Sequence, residues 1–109
     1  MSSATGNQDV RVSVVDFESN DSIKGFSKVF DQEFDRLDVL VNNAAIAPQK
    51  RQVSHKGIEM QWQVNVIGYY LMMTELHPIL ARTPESRIVN VSAELAGGLD
   101  FSDLNFLKR

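Results

Sequence analysis

A chain of 109 residues holds one small domain and is too short for two. Hydrophobic residues make up 43%, enough for a packed core, while a net charge of −3 with scattered basic residues argues against nucleic acid or an anionic membrane surface as partner. With no cysteine there is no disulfide, no thiolate metal site and no Cys nucleophile, and no apolar run approaches the roughly 18 residues of a membrane span, which together fit a cytoplasmic protein.

Residues 1–9 are small and polar, and read as a flexible arm; residues 10–109 read as one domain. Val10-Arg11-Val12-Ser13-Val14-Val15 alternates and is β-branched, which predicts a first strand. It stops at Asp16-Phe17. Glu18-Ser19-Asn20-Asp21-Ser22 then offers side-chain oxygens for a helix start. Ile23, Phe26, Phe30, Phe34 and Leu37 follow at steps of three and four, the stripe of a helix over 20–36.

Leu37 to Val41 contains a short, wholly apolar run, the mark of a strand buried on both faces of a parallel sheet. The predicted strand covers 38–42. Asn42 and Asn43 come next, then Ala44 and Ala45. An amide side chain has both donors and an acceptor, so an Asn pair at a strand end can tie neighbouring segments together. The alanines leave the backbone open to a ligand, and ligands of open α/β sheets bind outside the carboxyl ends of strands. The plain alternative is a polar turn after a core strand.

Pro48 to Val53 reads as a loop, and Ser54 as the cap of a helix over 55–82. Its inner seam is Ile58, Trp62, Asn65, Tyr69, Met72, Met73, Leu76 and Leu80. Met72 and Met73 are core fillers, and Pro78 bends or closes the last turn. Asn65 breaks the seam. A buried amide without partners costs about 1–3 kcal/mol, so it needs partners, as a structural amide or as a group orienting a catalytic neighbour. Residues 87–92 form the third strand, and 93–109 a loop or frayed turn. The order is β-α-β-α-β, a partial Rossmann-like three-layer α/β fold with about three parallel strands and exposed sheet edges open to pairing with another chain.

Asp16 ends its strand either as a capping carboxylate or as an acceptor for an exocyclic amine such as that of adenine. Ser92 ends the third strand, as a turn residue or as a nucleophile needing a base. His55 and His77 are not placed to be that base. No pair of histidines or carboxylates has metal-ligand spacing, so no metal is expected.

Four motifs in order, Asp16-Phe17, Leu37 to Ala45, Gln63-Val64-Asn65-Val66-Ile67-Gly68 and Arg87 to Ser92, resemble the short-chain dehydrogenase/reductase family. The tail Gly98 to Asn105 resembles its retinol-dehydrogenase-like branch. The resemblance implies a doubly wound sheet binding NADP or NAD, and hydride transfer between an alcohol and a ketone or aldehyde. It implies that Asp16 and Phe17 meet the adenine, that Asn43, Ala44 and Ala45 border the adenosine ribose, and that Asn42 braces the sheet. Asn65 becomes the helix asparagine of the catalytic set. Ser92 is the second catalytic candidate, although Ala93 falls where the family carries its catalytic Ser. The family's glycine-rich pyrophosphate turn and its Tyr-x-x-x-Lys pair are both missing. Tyr69 and Tyr70 are followed four residues on by Met73 and Thr74. The expectation is an oxidoreductase-type scaffold without activity of its own; the alternative is a truncated, non-catalytic remnant acting through association with another subunit.

Overall fold

A computed structural model describes residues 2–92, 100–105 and 107. A single helical turn, α1 (Ser2–Thr5), precedes an extended segment that leads into α2 (Asn20–Glu33). The Ser19 side chain caps α2 by accepting from the Ser22 amide at 3.2 Å. The helix ends three residues earlier than the sequence predicts, because Phe34 turns extended at φ −124° and ψ 144°. The Phe stripe holds: Phe26, Phe30 and Phe34 stack in series, with centroid separations of 5.9 and 4.6 Å.

Strand β1 (Val39–Asn42) pairs in parallel with β2 (Arg87–Asn90), with Val39 opposite Arg87 and Asn42 opposite Asn90. Bonds from Arg87 N to the Asp38 carbonyl and from Val91 N to the Asn42 carbonyl extend the ladder at both ends.

The first strand, expected over 10–15, is not formed. Among the described residues the sheet has two strands, and 10–15 pairs with neither. A strand exists only through its ladder partner. The alternation survives, with Arg11, Ser13 and Val15 facing a groove, while Val12 and Val14 are 81% and 94% exposed. The apolar row thus faces outward, and no described residue covers Val12 or Val14.

The helix predicted over 55–82 is shorter and divided. Residues 54–59 form a turn in which the Ile58 amide donates to Ser54 Oγ and Gly57 takes φ +81°, a conformation glycine supplies without strain. The helix starts as α3 (Met60–Trp62), capped by the buried Glu59 carboxylate, which accepts from the Gln61 and Trp62 amides. A π-helical stretch, Gln63–Ile67, follows and runs into α4 (Gly68–Glu75). The chain breaks at Leu76 and resumes as α5 (His77–Arg82). Pro78 has no amide to continue the ladder, which explains the break. The π stretch inserts a residue and turns the buried face, so Met60, Gln63 and Val64 are buried where Ile58 and Trp62 were expected, and those two are half-buried.

The core lies between α2, α4 and α5. Ile23, Met72, Leu76, Ile79 and Leu80 are buried, with Phe17, Phe26, Leu37 and Leu40 packed around them. Thr83 locks the corner: its hydroxyl donates to the Ile79 carbonyl at 2.7 Å and accepts the Leu37 amide at 2.9 Å. The radius of gyration is 16.0 Å, against about 13 Å for a compact 100-residue domain.

Candidate cofactor-binding groove

The open side of the sheet is a groove of about 780 Å³. One wall is Arg11 to Glu18, the other Leu40 to Ala44, and the Phe26–Phe30–Phe34 series lies along it. It sits at the carboxyl end of β1, where a short apolar strand gives way to Asn42-Asn43-Ala44-Ala45.

Asn42 is 3% exposed, and its Nδ2 donates to Asn90 Oδ1 at 2.8 Å. The amide therefore joins the two strand ends, as the sequence implied. Asn43, Ala44 and Ala45 are exposed. Beyond Asn42 the loop is held from the helix. Asn65 accepts from the Ile46 amide at 3.0 Å and donates to the Ile46 carbonyl at 2.9 Å. Tyr69 donates its hydroxyl to the Ala44 carbonyl at 2.7 Å. The predicted partners of the seam-breaking Asn65 are thus backbone groups of the loop.

Asp16 is exposed at the opposite wall. Its Oδ1 accepts the Glu18 amide at 2.9 Å, and its own amide donates to Ser22 Oγ at 2.9 Å. It shapes the turn into α2 and still presents its carboxylate to solvent beside the groove. Phe17 is half-buried, edge-on to Tyr69 at 6.4 Å between centroids. Ser92 is exposed just past β2, and Ala93 and the Gly98-Leu99 start of the tail motif lie outside the described residues.

Two residues that position the groove carry no obvious sequence signal. Gln63 is 2% exposed, and its Nε2 donates to the Phe17 carbonyl at 3.0 Å and to Asn20 Oδ1 at 2.9 Å. Gly68 leaves space for Phe17: a Cβ there would lie 2.7 Å from Phe17 Cδ2. Only a rotation of the helix face by the π stretch reveals them, and periodicity alone assumes an unbroken α-helix.

The groove offers the Asp16 carboxylate, one oxygen of which is bonded to the Glu18 amide, an aromatic ring and a bare backbone. Among the described residues it offers no glycine-rich turn leading into a helix N-terminus, the usual cradle of a pyrophosphate. No cluster of three metal-ligating side chains occurs among them either, and no described helix is long and apolar enough to cross a membrane.

Two parallel strands flanked by helices, with small residues and amides at a strand end, make a partial Rossmann-like α/β fold. The family model described as short chain dehydrogenase matches residues 2–100, and the chain belongs to that family of oxidoreductases. It is 39% identical over 104 residues to retinol dehydrogenase 13 of Mus musculus, covering 94% of this chain and 31% of that protein. Retinol dehydrogenase 14 of Homo sapiens is 40% identical over 93 residues, covering 84% of this chain and 28% of that protein. The chain thus spans about a third of these curated relatives, and is a fragment relative to them. Among solved structures, an uncharacterized protein from Mycobacterium Paratuberculosis superposes with a TM-score of 0.72 at 26% identity, over 92% of this chain and 35% of that one. The Pseudomonas aeruginosa RhlG/NADP active-site complex superposes at 0.68 and 23% identity, over 93% of this chain and 43% of that one, a likeness of fold.

Proposed function

We propose that this chain supplies the adenosine-facing part of an NAD(P)-dependent short-chain oxidoreductase, whose reaction moves hydride between an alcohol and a ketone or aldehyde. The supporting observation is the pairing of two loops across one groove. Asp16 and Phe17 stand on one side, Asn43 and Ala44 on the other, and both are tied to the same helix. When bound, the nicotinamide cofactor supplies the hydride chemistry. The chain's own share is to orient the adenosine: the Asp16 carboxylate accepts from its exocyclic amine, Phe17 lies beside the ring, and the bare backbone of 43–45 borders the ribose. Asn65 and Ser92 are the candidate catalytic residues. Asn65 holds the loop at Ile46, and Ser92 stands at the end of β2. The 109 residues contain no Tyr-x-x-x-Lys pair, so this reading assigns them cofactor orientation and no proton transfer.

Titrating the purified chain with NADPH and NADH, by cofactor fluorescence, tests binding. Absorbance with a broad carbonyl panel tests turnover. Saturable binding without turnover is expected; turnover at the rate of an ordinary reductase overturns the inactive reading, and no binding overturns the adenosine reading.

The exposed valines of 10–15 favour a second reading, association with another subunit through open strand edges. Light scattering across a concentration series tests it, and a clean monomer at high concentration counts against it.

A further inference from the structure

We propose that Tyr69 is a positioning residue that sets the spacing between the two loops bordering the groove. The proposal rests on the adenosine reading above for its functional consequence. Its structural part stands on contacts alone.

Four residues within about two turns of the helix that runs from Met60 to Glu75 hold the groove. Gln63 binds the backbone at Phe17, Asn65 binds it at Ile46, Gly68 makes room for the Phe17 ring, and Tyr69 touches both sides. Its ring meets Phe17 edge-on, at an interplanar angle of 85°, and its hydroxyl holds the Ala44 carbonyl at 2.7 Å. An aromatic side chain has two torsions and moves as a block. Tyr69 is 8% exposed, so packing on its flanks fixes those torsions. Any displacement of Phe17 against one end of the block is therefore carried to Ala44 at the other. The loop after Asn42 has left the ladder, so this spacer and the Asn65 clamp decide where its carbonyls point. The specificity is chemical: Phe keeps the ring and loses the Ala44 bond, whereas Leu loses both.

The test compares the full chain with Tyr69→Phe and Tyr69→Leu. Amide NMR spectra, taken without ligand, report on each loop, and NADPH titration by fluorescence reports on the groove. In Tyr69→Phe the signals of 43–46 shift while those of 16–18 stay. In Tyr69→Leu both sets shift. NADPH binding weakens on the order of fivefold in the first, the effect of one ordinary hydrogen bond, and further in the second. Unmoved 16–18 signals in a folded Tyr69→Leu chain, or equal NADPH affinity in all three proteins, overturn the proposal. If the parent chain binds no NADPH, the adenosine reading fails, and the amide shifts alone decide the role of Tyr69: movement of both loops in Tyr69→Leu supports it, and movement confined to 43–46 overturns it.

Discussion

Asn65 and Ile46 form a closed pair: one side-chain amide satisfies both the N–H and the C=O of a single loop residue, at 3.0 and 2.9 Å. Reciprocal amide pairing of this kind replaces a strand neighbour for a segment that has run off the sheet. Asn65→Ala removes both bonds and is expected to lower stability by about 1–3 kcal/mol. Asn65→Asp keeps the acceptor but sets a carboxylate against the Ile46 carbonyl, so it should be no better. Urea midpoints at constant slope measure the loss. A midpoint unchanged in Asn65→Ala would show the clamp to be idle.

Gly68→Ala is expected to push the Phe17 ring from its seat, since the new methyl would stand 2.7 Å from Cδ2. Overpacking of this kind costs about 1–3 kcal/mol. Phe17→Leu in the same chain should recover part of the loss, because the two side chains compete for one space. A double-mutant cycle measures the recovery, and additive effects would refute the competition.

Thr83→Val preserves shape and removes a hydroxyl that both donates and accepts at a position 4% exposed. The Leu37 amide then loses its partner, at a cost of about 1–3 kcal/mol. Thr83→Ser should lose much less. Denaturant unfolding of the two variants side by side separates the hydroxyl from the methyl.

Arg36 grips Asp38 through two bonds, of 3.1 and 2.6 Å, on a solvent-exposed stretch just before β1. Those hydrogen bonds hold the Asp38 carboxylate below the usual Asp range, with the guanidinium charge acting the same way. The group's value is lowered on folding, so the pair favours the fold above the unfolded Asp range. That contribution is lost as pH falls through the lowered value. An NMR titration of Asp38 should show a depressed midpoint that climbs in Arg36→Gln and, by screening, in concentrated salt. The effect on stability should be slight, as befits an exposed pair.

The sequence carried the places of β1 and β2, because an apolar run ending in amides leaves few readings, but not their burial: Val39 and Val41 are 48% and 56% exposed and every residue of β2 is exposed, where a strand covered on both faces was expected. It carried the α2 stripe and the need of Asn65 for partners as well. It did not carry the π stretch, since one inserted residue leaves no mark on apolar spacing, and so the role of Gln63 and the buried positions at Met60 and Val64 were missed, while Tyr69, Met72, Leu76 and Leu80 lie inside as expected. The strand at 10–15 failed for another reason. Its pattern is that of a strand, but a ladder needs a neighbour, and pattern cannot show whether one exists.

The run Val10 to Val15 contains one charged residue, Arg11, whose guanidinium lies 5.2 Å from the Phe34 ring centroid. Six-residue stretches of this composition serve as templates on which identical chains stack into fibrils, and a single cation is the common gatekeeper against it. Arg11 is thus the one charge interrupting this run, and an Arg11→Ala chain is expected to precipitate at a lower concentration than the parent, as turbidity against concentration would show.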